Sequence, residues 1–160
     1  MLFRSTGLKV QTDLLFACDA VLMGGRTYPG FAPAWMARSG DPFSDRMNSM
    51  AKYVVSSTLT DPEWNNTTVI SGDAIAEIRR LKEQPGLDIV QYGFGQLSYA
   101  LLEHGLLDEL RLWVYPLFVG HATTDDLMFR PAATAQLELA DSLALNTGIV
   151  ILTYRVPSAR

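Results

Sequence analysis

Cysteine is almost absent. Cys18 is the single one in 160 residues, so no disulfide can form within the chain. With Phe16 and Ala17 beside it, it reads as a small core residue and not as a reactive thiol. Histidine is nearly as scarce. His104 falls in the last turn of an expected helix, where positive charge meets carbonyl ends. His121 has Asp125 and Asp126 nearby but no second histidine or cysteine at ligand spacing, so no metal site is expected. Only 19% of residues are charged and the net charge is -4, which argues against nucleic acid as a partner. No apolar run reaches the ~20 residues of a membrane span, and MLFRSTGLKV lacks the apolar core of an export signal. The expectation is a cytoplasmic protein with no membrane partner. There is no lysine after a glycine loop as a triphosphatase needs, and no G-x-S-x-G elbow. Ser98 has no obvious histidine partner, which disfavours nucleophilic hydrolysis.

What is present is a hydrophobic fraction of 48%, enough over this length for a single domain, residues 1–160, with a proper core. Its most informative stretch runs from Leu87 to Gly120. Leu87 to Gln91 reads as a buried strand, Gly93-Phe94-Gly95 as a turn, Gln96 to His104 as a helix, and Glu109 to Tyr115 as a second strand. A strand that turns directly into a helix leaves the first helical N–H groups unpartnered, and glycine lets a phosphate approach them. A tight connection that merely needs glycine dihedrals is the alternative. A second bend of this kind follows Ala20-Val21-Leu22-Met23, at Gly24-Gly25, and continues as Arg26-Thr27-Tyr28-Pro29-Gly30. Here a cation and a hydroxyl accompany the glycines.

Elsewhere, Thr12 to Asp19 looks like the end of a helix, with Thr12 or Asp13 as cap or first turn. Phe31 to Asp41, which carries Pro33, a glycine and a tryptophan, reads as irregular, and Phe43 to Ala51 as a short helix. Lys52 to Ser56 and Thr67 to Ile70 read as strands. Asp73 is the expected N-cap of a helix whose stripe is Ile75, Ile78 and Leu81, stopped by Pro85-Gly86. Leu137 to Leu145 and Ile149 to Val156 form a closing hairpin around Asn146-Thr147-Gly148. Strands alternate with helices early and end antiparallel, so the expected class is α/β, mainly parallel with an antiparallel edge. Gly93-x-Gly95-x-x-Ser98 approximates the dinucleotide fingerprint, but it comes late in the chain, and Asp108 and Glu109 stand at the wrong end of the next strand.

Asp19-Ala-Val-Leu-Met-Gly-Gly-Arg-Thr-Tyr28, Tyr53-Val-Val-Ser-Ser57, Tyr92-Gly-Phe-Gly-Gln-Leu97, Gly105-Leu-Leu-Asp-Glu-Leu-Arg-Leu112 and Pro116-Leu-Phe-Val-Gly120 together resemble the dihydrofolate reductase-like superfamily, in its riboflavin-biosynthesis reductase (RibD C-terminal domain) branch. The resemblance covers Asp19 to Val156. It implies a three-layer fold and an NADPH-dependent reductase acting on a small pterin- or pyrimidine-like heterocycle. Gly24, Gly25, Arg26, Thr27 and Tyr28 would hold cofactor phosphates, Ser56 and Ser57 the adenosine phosphate, and Gly93, Phe94, Gly95, Gln96 and Leu97 the pyrophosphate. Asp13 is the candidate proton donor, with a helix cap as its plainer role; Phe31 and Trp35 would shape the pocket or simply pack. Relatives commonly pair, which makes a homodimer the expected assembly, with the last strands and Leu117-Phe118-Val119 as its surface. Two departures stand out. Gly25 occupies the family's arginine position and Pro29 that of a glutamate, so NADH is possible beside NADPH. The usual first strand is missing from Met1 to Gln11, as in a truncated chain, one with a late start codon, or one that fills the gap from another subunit. A non-catalytic nucleotide-binding or dimerisation module with the same fold is the alternative function, and glycines acting only as turn formers the third.

Overall fold

A computed structural model describes residues 3–120, 123, 128 and 134–157. The chain divides into two compact units, Leu8–Gly93 and Phe94–Arg160 with Met1–Gly7. His121, Asp125 and Asp126, weighed above for a metal, lie outside the described residues.

The first element among the described residues is a helix, α1, which spans Phe3–Phe16. Leu14 and Leu15 of its last turns pack on the core of the first unit. Asp13 therefore lies inside the helix and does not cap it; it pairs with Lys9 one turn earlier at 2.5 Å. Strand β1 (Cys18–Gly24) follows at once, with Ala20, Val21, Leu22 and Met23 all buried. Burial on both faces is what a continuous apolar run predicts for the centre of a parallel sheet. β1 pairs in parallel with β2 (Ala51–Val55) on one side and with β4 (Asp88–Gln91) on the other, and β3 (Thr67–Ile70) adds to β2. The order is β3-β2-β1-β4. The chain thus steps outward from β1 to β3, then crosses back to the far side of β1.

Between β1 and β2 lie α2 (Tyr28–Met36) and α3 (Pro42–Ser49). The sequence predicted an irregular segment where α2 runs. Pro29 sits in the first turn, where its missing N–H is no loss and its fixed φ suits a helix. Burial of Tyr28 and Ala32 outweighs the interior Pro33. α3 is capped by Asp41, whose Oδ1 accepts from Phe43 and Ser44 N–H. α4 (Ala74–Lys82) is capped as expected, Asp73 Oδ1 accepting from Ala76 N–H at 3.0 Å, and buries Ile78 and Leu81.

One strand residue contradicts its polarity. The side chain of Lys52 is fully buried. Its ammonium donates to the carbonyls of Asn48 (2.5 Å), Met50 (2.8 Å) and Asn65 (3.0 Å) and lies 4.6 Å from the Trp64 ring centroid. It satisfies the orphan carbonyls at the end of α3, a place that favours a cation. Burial pushes its pKa down to about 8, so it carries its charge at neutral pH. The Trp64 backbone N–H donates to the Tyr28 hydroxyl, and its indole N–H to Asn48 Oδ1.

The second unit holds α5 (Gln96–Glu103), β5 (Glu109–Val114), β6 (Glu138–Ala144) and β7 (Val150–Arg155). The three strands form a separate antiparallel sheet of order β5-β7-β6, with Trp113 opposite Ile151 and Leu143 opposite Ile151 on the other side. The expected α/β class, mainly parallel with antiparallel strands at the C-terminal end, is present as a four-stranded parallel sheet and a three-stranded antiparallel one. Among the described residues β4 pairs only with β1, and β5 only with β7. Leu117, Phe118 and Val119 are exposed. No helix among the described residues is long and apolar enough to cross a membrane.

Candidate functional site

Four parallel strands deliver four loops to one edge of the first unit's sheet: Gly24 to Tyr28 after β1, Ser56 to Thr58 after β2, Ser71 to Asp73 after β3, and Tyr92-Gly93 after β4. Leu22 stands opposite Gln91, so Gly24 and Gly93 each follow two residues beyond a paired position of adjacent strands. The two glycine bends therefore meet at the same end of the sheet. Because the chain leaves β1 in one direction and returns on its other side as β4, the crevice between these two loops is the switch point of the topology. That is where open α/β sheets bind ligands.

The β1 loop closes as a turn in which Thr27 N–H donates to the Gly24 carbonyl at 3.0 Å, and α2 then starts with Phe31 N–H on the Thr27 carbonyl. The N–H groups of Arg26 and Tyr28 stay outside both ladders. A Cβ on Gly24 would meet no atom within 4 Å, so open space lies over this turn. Gly25 is different. Its N–H donates to the Val55 carbonyl at 2.8 Å, and a Cβ there would fall 2.8 Å from Ser56 Oγ and 2.9 Å from Ser56 Cβ. Glycine at 25 therefore lets the β1 and β2 loops touch. Gly93 adopts φ +84, a left-handed conformation that side chains resist, and also faces open space.

Side chains divide into committed and available ones. Tyr28 is buried and its hydroxyl accepts from Trp64, so position 28 offers a ligand only its backbone. Ser56 Oγ accepts from Thr58 and Leu59 N–H, which shapes the β2 loop from within. Ser57 is exposed, as is Arg26. Arg26 makes no ion pair among the described residues and is the one cation in the four loops. Asp73, the one carboxylate there, already occupies the N-terminus of α4. An anion is thus repelled on the β3 side and attracted on the β1 side.

Tyr92 was passed over among the sequence-derived site residues. Burial pushes its phenol up to about 12, with Cys18 adding to the shift, so it is protonated at any working pH. Its ring centroid lies 5.9 Å from that of Phe31, whose ring is 6.1 Å from Trp35. An aromatic residue immediately ahead of a glycine bend was the signal available in the sequence.

Asp13 is not brought to these loops. It is exposed, paired with Lys9, and stands five residues before β1 begins, toward the opposite end of that strand. Phe94, Gly95, Gln96 and Leu97 belong to the second unit, where Gly95 precedes α5. There the Gly95 N–H donates to Ser98 Oγ at 3.2 Å, and the Phe94 ring stands edge-on to Tyr99 at 5.0 Å. A Cβ on Gly95 would also meet open space. A depression on the outer face of α4, lined by Asp73, Ala76, Arg79, Arg80 and Glu83, holds no chemistry beyond the exposed Arg80–Glu77 pair. No cluster of three or more metal-ligating side chains occurs among the described residues.

Known proteins bear on this arrangement. The family model of the RibD C-terminal domain matches residues 5–151. The uncharacterized protein YyaP of Bacillus subtilis (strain 168) is 26% identical over 148 residues, covering 89% of this chain and 77% of its own length. A proposed riboflavin biosynthesis protein of Shewanella sp. PV-4 superposes with a TM-score of 0.68 at 17% identity, over 91% of this chain and 77% of its own. A Thermotoga maritima diaminohydroxyphosphoribosylaminopyrimidine deaminase/5-amino-6-(5-phosphoribosylamino)uracil reductase gives 0.62 at 14% identity, over 94% of this chain and 48% of its own. The two structural likenesses, at these identities, concern the fold.

Proposed function

Because the chain belongs to the family of RibD C-terminal domains, we propose that it is an NADPH-dependent reductase of a small pterin- or pyrimidine-like heterocycle. The observation that carries the proposal is the meeting of the Gly24 and Gly93 bends at one switch-point crevice, with Arg26 beside it and open space over both glycines. That space, free N–H groups and a guanidinium fit the phosphates of a dinucleotide. A uracil reductase named among the structural relatives makes a pyrimidine-type substrate the first to try.

When bound, the nicotinamide supplies the hydride, and the protein's part is to bind and orient. Arg26 would neutralise phosphate charge, and the N–H groups of Arg26 and Tyr28 would donate to the phosphate oxygens at close range because Gly24 presents no side chain. Ser57 offers a hydroxyl at the next loop. Ser56 acts at one remove, by holding that loop's shape. Asp73 serves α4 and Asp13 pairs with Lys9, so the proposal assigns the proton to neither.

Titration with NADPH tests this directly. The expected result is quenched tryptophan emission and a raised melting temperature; saturation to 100 times Kd stabilises the fold by about 2.7 kcal/mol. NADH is expected to do the same more weakly. An unchanged melting curve at millimolar NADPH contradicts the proposal. Binding without turnover of any pterin or pyrimidine would favour a non-catalytic module.

A further inference from the structure

Not all aromatic side chains of the first unit go into its core. Tyr92, Phe31, Trp35 and Phe43 form a continuous row, with centroid separations of 5.9, 6.1 and 5.4 Å, and each is only half-buried. The row begins beside Gly93 and continues along α2, the helix that grows out of the Gly24 to Thr27 turn. It therefore borders both loops assigned to the cofactor phosphates.

Within this row Tyr92 is anomalous. Its hydroxyl oxygen is buried and has no hydrogen-bond partner. The core aromatics do not behave this way: the Tyr28 hydroxyl and the Trp64 indole N–H are both used. A buried hydroxyl without a partner is costly, and phenylalanine would fill the same space without that cost. Tyrosine at this position is thus unexplained by folding alone. Such local disadvantage collects where a group is held for a ligand.

We propose that Tyr92 is a specificity-determining residue of the reductase site, its hydroxyl donating to a carbonyl oxygen of a planar substrate ring that stacks on Phe31. This rests on the reductase reading above and deepens it, by naming the side chain that reads a carbonyl of the substrate ring. The half-buried rings supply stacking that any flat heterocycle can use. The hydroxyl supplies discrimination, since a site built to hydrogen-bond rejects analogues without the matching atom. A small turn of the side chain brings the enclosed oxygen to the ligand, and an acceptor there relieves its unpaired state.

The test compares wild type with Tyr92→Phe, using lumazine, a pteridine dione, as the probe and NADPH as a separate ligand. Lumazine is expected to bind the variant about tenfold more weakly, the ratio one hydrogen bond commands. The variant's melting temperature is expected to equal or exceed that of wild type, and its NADPH affinity to be unchanged. A merely structural tyrosine would show the reverse, a lower melting temperature with lumazine affinity intact, and that result overturns the inference. Phe31→Leu is expected to weaken lumazine binding through lost stacking. Wild-type protein that binds NADPH but ignores millimolar lumazine also overturns the inference while leaving the reductase reading standing. Failure to bind NADPH removes that reading itself.

Discussion

Gly24→Val is expected to leave the fold intact and to weaken NADPH binding by tenfold to a hundredfold. Gly24 ends β1, its backbone is ordinary for a side chain, and a Cβ there touches nothing. Valine suits a strand better than glycine, so stability should hold or rise by up to about 1 kcal/mol. What valine takes away is the space a phosphate needs to reach the N–H groups of the turn. One charge-assisted hydrogen bond is worth about 1.5–3 kcal/mol, which is roughly the affinity ratio stated. Gly25→Ala provides the contrast. Its Cβ would press on Ser56 at 2.8 and 2.9 Å, so this change should lower stability first. Equal NADPH affinity of wild type and Gly24→Val, measured by calorimetry, would remove the β1 turn from the cofactor site.

The largest stability effect is expected at Lys52. Lys52→Met keeps most of the volume and removes the donor shared by the carbonyls of Asn48, Met50 and Asn65. Replacing a buried charge by an apolar group can be neutral when nothing is left unpaired. Here three carbonyls are left behind, and the net cost should be about 3 kcal/mol, a fall in melting temperature of roughly 10 °C. The effect also depends on pH. The folded lysine titrates at about 8 and the unfolded one at its ordinary 10.5. Between these values the folded chain has released a proton that the unfolded chain still holds, so raising pH favours folding. Wild-type stability relative to Lys52→Met should therefore rise from pH 8 to 10.5 and be level below 8. A flat difference across that window, measured by denaturant unfolding, would contradict the burial of a displaced ammonium.

Several local features of the fold were legible in the residues. Asp73 announced its helix because a short acidic side chain followed by an apolar stripe has few other uses, and the cap is there. Gly24 and Gly93 announced bends for the same kind of local reason. That they meet at one edge depends on the order β3-β2-β1-β4, which periodicity cannot give, since every strand reads alike until paired. α2 was hidden because Pro29, Gly30 and Pro33 argue against a helix one residue at a time, while the burial of Tyr28 and Ala32 acts on the whole segment. Lys52 was hidden for a similar reason: its three acceptors come from residues 48, 50 and 65, and no spacing along the chain foretells that gathering. Asp13 pairs with Lys9 one turn earlier on the surface of α1, a plainer use of a carboxylate at that spacing.

Amide hydrogen exchange with and without NADPH bears most directly on the shared crevice. The account predicts slowed exchange at Arg26 to Tyr28 and at Gly93 in the same titration, with one midpoint. Protection of only one of the two bends, or different midpoints for the two, would contradict a single ligand held between β1 and β4.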